Sequence, residues 1–208
     1  MRSNSKTHHN AAKRRHDSLR GCGSWLANLV LAFFLLAPPC SDAAQAVAGV
    51  PEYNLKAGYL ITFTQYTTWP TNAFPSTNSR LVIGVLGNNP FGQALDQTAQ
   101  AQKSTRPLTV RNISTPEEAA LCHVVFLSKE ESRNEAQWLE ALKDKPVLTV
   151  GESGQTIKRG GIIEFVMENK RVRFDASSRA MSGAKLKISS QMLGSARKVH
   201  KASTDSEK

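Results

Sequence analysis

Four short apolar runs, 81–86, 108–113, 124–127 and 147–150, restrict the folds open to this chain more than any other feature. All are rich in Val, Leu and Ile and read as strands. Helix candidates lie between them at 91–102, 116–121 and 130–142, the last placing Ala136, Leu139 and Leu142 on one side. Such alternation predicts right-handed crossovers and a mainly parallel, mixed sheet flanked by helices, a Rossmann-like three-layer α/β sandwich in one domain. "GGIIEFVMENKRVRFDAS" reads as two strands around Glu168-Asn169-Lys170, an antiparallel hairpin. A terminal helix is expected in "MSGAKLKISSQMLGSARKV", with Leu186, Leu193 and Ala196 near one face, and "HKASTDSEK" reads as a frayed tail. Before the strands, "EYNLKAGYLITFTQYTTWP" spaces Leu55, Tyr59, Phe63 and Tyr66 as a helical stripe that packs on the sheet, and Trp69-Pro70 stops it.

Residues 1–46 have the three-part layout of a secretory signal. Lys13, Arg14, Arg15 and Arg20 make a basic start, and the run from Trp25 to Ala37 is apolar apart from Asn28. Pro38-Pro39 breaks it, and "SDAAQA" offers small residues for cleavage after Ala46 or Ala43, so a cleaved signal is favoured over a retained anchor. His16-Asp17-Ser18 after Arg14-Arg15 does not suit a twin-arginine signal, and Pro39 before Cys40 does not suit lipidation. The expected organisation is a signal peptide at 1–46, a domain at 47–198 and a polar tail at 199–208, with the mature protein exported. Export removes ATP and nucleic acid as partners.

The full chain carries 27 Lys and Arg against 17 Asp and Glu, a net charge of +10. With 6 and 2 of these in residues 1–46, the mature chain would carry +6, and the excess lies after residue 155, where 12 basic residues face 5 acidic ones. One end therefore carries a positive field, which is either an ordinary solvated surface or one suited to an anionic membrane face or an acidic partner. Cleavage would remove Cys22 and Cys40, leaving Cys122 to act as a buried small hydrophobe or an intermolecular link, and its strand-like setting "LCHVVFLS" favours burial.

"LVIGVLGNNPFGQAL" begins like a phosphate-binding loop, with Gly87 and Gly92 at the spacing of a P-loop. Gln93 and Ala94 stand where that chemistry needs Lys and Ser or Thr, so a strand-to-helix turn with Pro90 at the helix start is the reading the residues support. Catalytic candidates are few. His123 and Cys122 are strand neighbours that point to opposite faces, so they form no dyad, and no metal-ligand spacing is present. No spacing favours a pair among Glu152, Glu164, Glu168 and Asp175. The chain reads as non-enzymatic, with no cofactor. Ligands of open parallel sheets sit at the carboxyl ends of strands, which singles out Gly87, Asn88 and Asn89, then Ser128, and then Glu152 and Ser153 as a candidate polar crevice.

Six stretches, "NLKAGYLITFTQYTTWP", "LVIGVLGNNPFG", "CHVVFLS", "PVLTVGE", "GGIIEFVMENKRVRFDAS" and "LKISSQML", together resemble the YfiR/HmsC-like periplasmic family, from about Asn54 to Ala196. The resemblance implies an exported α/β protein without catalytic activity that restrains an inner-membrane diguanylate cyclase through its periplasmic part, tuning cyclic-di-GMP and biofilm formation. It also implies, as an alternative, a small-molecule sensor coupled to a membrane histidine kinase, and it raises a homodimer. Internal disulfides of the prototype's kind have no counterpart here, because Cys122 lacks a mature partner. For a protein partner, two surfaces are expected: the basic hairpin of Lys170, Arg171 and Arg173, and the pair Tyr66 and Trp69 at the end of the first helix.

Overall fold

The computed structural model of the protein describes residues 51–102 and 106–201, so the expected signal peptide and most of the expected tail lie outside the described residues. In chain order, helix α1 (Glu52–Tyr66) and strand β1 (Thr67–Thr68) lead into β2 (Leu81–Leu86). Helix α2 (Ala94–Ala101) precedes β3 (Leu108–Ile113), α3 (Pro116–Ala120) precedes β4 (Val124–Leu127), and α4 (Glu135–Ala141) precedes β5 (Leu148–Gly151). The remaining elements are β6 (Ile163–Glu168), β7 (Arg171–Ser177), α5 (Ser178–Gly183), β8 (Lys187–Ile188), α6 (Ser190–Gly194) and β9 (Lys198–His200).

Seven strands form one sheet in the order β3-β2-β4-β5-β6-β7-β9. The first five are mutually parallel, β7 runs antiparallel to β6, and β9 runs parallel to β7. A mainly parallel mixed sheet with helices was the class predicted from the alternating runs. Every residue of β4 is buried, as a central strand covered on both faces requires. Ile83, Val85, Phe126 and Val150 pack with Leu60 and Phe63 of α1, whereas Val125, Leu127 and Val147 pack with Leu139, Leu142 and Cys122. Fully burying one such side chain contributes about 1.5–3 kcal/mol. Cys122 is a free, buried thiol lying against Gly84, where an added Cβ would come within 2.7 Å of its sulfur.

Helix α3 shows how local sequence sets a start. Thr115 accepts from the Glu118 amide, Glu118 reaches back to the Thr115 amide, and Pro116 occupies the first turn where its missing N–H is no loss. Elsewhere the boundaries differ from expectation. Leu55 is exposed although Tyr59, Phe63 and Tyr66 pack on the core. The expected helix at 130–142 is a 3-10 turn at Lys129–Arg133 followed by α4, and Ala136 is exposed. The helix after Pro90 begins only at Ala94, because the Asn89 side chain accepts from the Phe91 amide and Gly92 turns left-handed with φ 54°.

The largest correction is at the C-terminal end. In place of one terminal helix the chain forms α5, β8, α6 and β9. Lys185 turns left-handed at φ 56°, β8 pairs antiparallel with β1, and the Ser189 hydroxyl caps α6 by accepting from the Met192 amide. His200, expected in the frayed tail, pairs with Ser177 in the β7–β9 ladder.

Candidate functional site

The chain goes from β2 to β3 on one side and then crosses to β4 on the other, so the strand order reverses between β2 and β4. Carboxyl ends at such a reversal form the usual crevice of open α/β sheets. Five of the six predicted crevice positions carry side chains, and the structure brings all six positions to this edge. Asn88 donates to Glu130 Oε2 at 2.8 Å, tying the loop after β2 to the loop after β4. Gly87 has φ 78°, which favours glycine, and an added Cβ would lie 2.8 Å from the Glu131 side chain. The Ser128 hydroxyl is buried and has no partner among the described residues.

Glu152 closes the crevice from the β5 side. Its Oε1 accepts from the Lys129 amide at 3.0 Å and from the Tyr53 hydroxyl at 3.2 Å, and its Oε2 pairs with Lys56 Nζ. Lys56 also pairs with Glu52, one helical turn earlier. The Lys56 and Glu152 side chains are only 5% and 3% exposed. Burial opposes the charge on Lys56, but the hydrogen bonds to Glu152 and Glu52 outweigh it and hold its pKa above the ordinary lysine value. Burial and the neighbouring Glu152 charge push the Tyr53 phenol upward, which keeps it a donor.

Ser153 turns to the other side of the sheet and donates to Glu135 Oε2 at 2.6 Å. Glu135 also accepts from the Thr156 hydroxyl at 2.5 Å and from Arg159 at 2.7 Å. Thr156 in turn donates its amide to Glu164 Oε1 at 2.9 Å. Asn88, Glu152 and Ser153 are thus spent on partners from neighbouring elements, the Ser128 hydroxyl is left over among the described residues, and the edge is held by the Lys56–Glu152 and Arg159–Glu135 ion pairs. Sequence reasoning missed Lys56 and Glu135. Lys56 carried a legible signal, since it stands one turn before Leu60 on the buried stripe of an apolar helix.

The basic hairpin stands at the same edge. β5 stops pairing at Gly151 opposite Glu164, but β6 continues to Glu168, so the arm projects about 13 Å beyond β5 at about 3.3 Å per residue. Asn169 and Lys170 both have positive φ, 50° and 61°, as a tight two-residue hairpin turn demands. Arg171 and Arg173 alternate with buried Val172, so both present from one face, across from Glu168 and Val166. Lys170, Arg171 and Arg173 are exposed.

Tyr66 and Trp69 do not join this surface. They lie where α1 ends, beside the β1–β8 pair, and both are half-buried against the core. Trp69 sits edge-on to Phe74 and His123, and its indole N–H is buried without a partner among the described residues. His123 stacks on Phe74 at 4.3 Å, accepts from the Val82 amide at Nδ1 and lies 3.1 Å from the Ala73 carbonyl at Nε2. Nε2 therefore carries the proton and the ring is neutral. Burial, and then the Arg106 charge, holds its pKa below the ordinary histidine value against the Ala73 hydrogen bond. Burial pushes the Cys122 thiol up, away from the thiolate form in which a cysteine reacts.

The lowered His123 pKa makes a prediction. The unfolded chain takes up a proton at this residue near pH 6.5 while the folded chain resists it, so stability is retained above about 6.5 and declines as pH falls below it. Urea midpoints measured at about pH 7.5 and 5.5 are expected to drop for the wild type and to drop less for His123→Gln. An equal drop in both would show that other groups set the slope.

Fold and site together define a class: a doubly wound α/β protein with an internally locked carboxyl edge and a projecting basic arm. Residues 53–197 match the YfiR/HmsC-like family, and the chain belongs to that family. No curated protein matches the sequence. Among the described residues no helix is long and apolar enough to cross a membrane, and none of the His, Cys, Asp and Glu side chains cluster as a metal site.

Proposed function

We propose that the protein is a non-enzymatic periplasmic regulator that inhibits an inner-membrane diguanylate cyclase, docking the arm of Lys170, Arg171 and Arg173 on an acidic periplasmic surface of that enzyme. Family membership over 53–197 carries the reading. The basic and then apolar layout of residues 1–46 supports export, and the projection of two arginines from one face of the arm supports a protein contact. Tyr66 and Trp69 lie away from the arm and have no part in this contact. The crevice, with Asn88, Glu152 and Ser153 engaged internally, is assigned a structural role.

Cellular cyclic-di-GMP in a deletion strain tests this. The level is expected to rise on deletion, to return with the wild-type gene, and to stay at the deletion level with Arg171→Glu/Arg173→Glu expressed at equal abundance. An unchanged level on deletion would overturn the reading in favour of a sensor coupled to a histidine kinase.

A further inference from the structure

Beside α4, on the sheet face away from α1, the protein has a cleft of about 550 Å³ between the turn after α4, the loop at 157–160 and α5. Its size lies within the roughly 300–1,000 Å³ of small-molecule sites. None of the crevice positions expected from the sequence contributes to it.

Thr149 and Ser177 line the cleft and are themselves 4% and 7% exposed. Each hydroxyl oxygen accepts a backbone amide, Thr149 from Ile162 at 3.0 Å and Ser177 from Ala180 at 3.3 Å. Neither hydroxyl proton has an acceptor among the described residues, so two buried donors are unspent at the cleft. Four cationic side chains border it, Lys143, Lys158, Arg159 and Arg179, against Glu140 and Asp144. Lys143 pairs with Glu140, and Arg159 is held by Glu135 and the Ser132 carbonyl. Lys158 and Arg179 have neither an ion pair nor a hydrogen bond among the described residues, and both are exposed. A cleft whose unspent groups are donors and cations is complementary to an acceptor that carries negative charge.

We infer that this cleft binds a small anionic solute, whose oxyanion takes the Thr149 and Ser177 hydroxyl protons while Lys158 and Arg179 meet its charge. The inference stands apart from the cyclase reading, because it concerns the protein alone and is tested without any membrane partner. Inorganic phosphate and succinate serve as the two probes, separating a phosphate-type from a carboxylate-type ligand, with sodium chloride at matched ionic strength as the control. Thermal unfolding of the purified protein is expected to show a saturable rise in Tm with at least one probe beyond the chloride control. Lys158→Ala/Arg179→Ala, which removes only exposed side chains, is expected to weaken apparent binding at least tenfold with an unchanged circular dichroism spectrum. Thr149→Val should weaken it as well. Absence of a saturable rise with either anion, or an equal rise in the double variant, would overturn the inference and leave the cyclic-di-GMP test unaffected.

Discussion

Glu152→Ala is expected to destabilise the protein by about 3 kcal/mol, the lower end of the range for severing a buried ion pair. Lys56 would keep its charge in a site where its side chain is 5% exposed, with Glu52, itself 41% exposed, as its remaining partner. The Tyr53 hydroxyl and the Lys129 amide would lose their acceptor as well. Glu52 is what keeps the expected loss from the upper end of the range. Lys56→Met/Glu152→Leu removes both charges and fills the space with apolar side chains, so it should recover most of the loss. Urea unfolding with unchanged m-values would measure both variants. A single-variant cost below about 1 kcal/mol, or a double variant no better than the single, would show that the pair is not the lock described here.

Glu135→Ala is expected to cost a similar amount, about 3 kcal/mol, by a different route. The side chain is 1% exposed and organises the segment after β5 by accepting from Ser153, Thr156 and Arg159. Arg159 is 33% exposed and can return to water when its partner is removed, so the lost ion pair accounts for less than about 1 kcal/mol of the Glu135→Ala cost. Thr156 is fully buried, and its hydroxyl has no such recourse. Glu135→Gln keeps an acceptor for Thr156 while losing the charge, and should fall between wild type and the alanine variant. Denaturant midpoints order the three, and a glutamine variant as damaged as the alanine one would place the weight on charge instead of on hydroxyl acceptance. The same network explains Gly151, where an added Cβ would collide with Thr156 Oγ1 and lie 2.7 Å from Glu135 Oε1.

The strands β2, β3, β4 and β5 were legible because each is a run rich in Val, Leu and Ile, three of them buried almost throughout and the edge strand β3 buried at Ile113. The 168–171 hairpin was legible because so short a turn between apolar segments leaves no room for a crossover. The C-terminal segment was not legible, although Leu186, Leu193 and Ala196 fall at helical spacing. Without β9, the far edge of β7 would be unpaired. The Arg197 amide donates to the Phe174 carbonyl at 2.8 Å and begins the ladder that supplies that partner, while Arg197 and His200 also reach Asp175. An edge strand's need for hydrogen bonds overrode a helical pattern, and periodicity within the segment carries no trace of that need.

The candidate site divides along the same line. Gly87, Asn88, Asn89, Ser128, Glu152 and Ser153 follow strand ends, so their common edge was determined by the order of apolar runs and connecting helices in the sequence. Which of these side chains would be free was decided only by tertiary structure. Lys56 and Glu152 are 96 residues apart, and Glu135 and Arg159 are 24 apart. A charged side chain is buried only where a partner from another element offsets its desolvation, and the sheet order chooses that partner. Local sequence reports which residues a single helix or strand must hide, whereas the pairing of polar groups depends on which elements become neighbours.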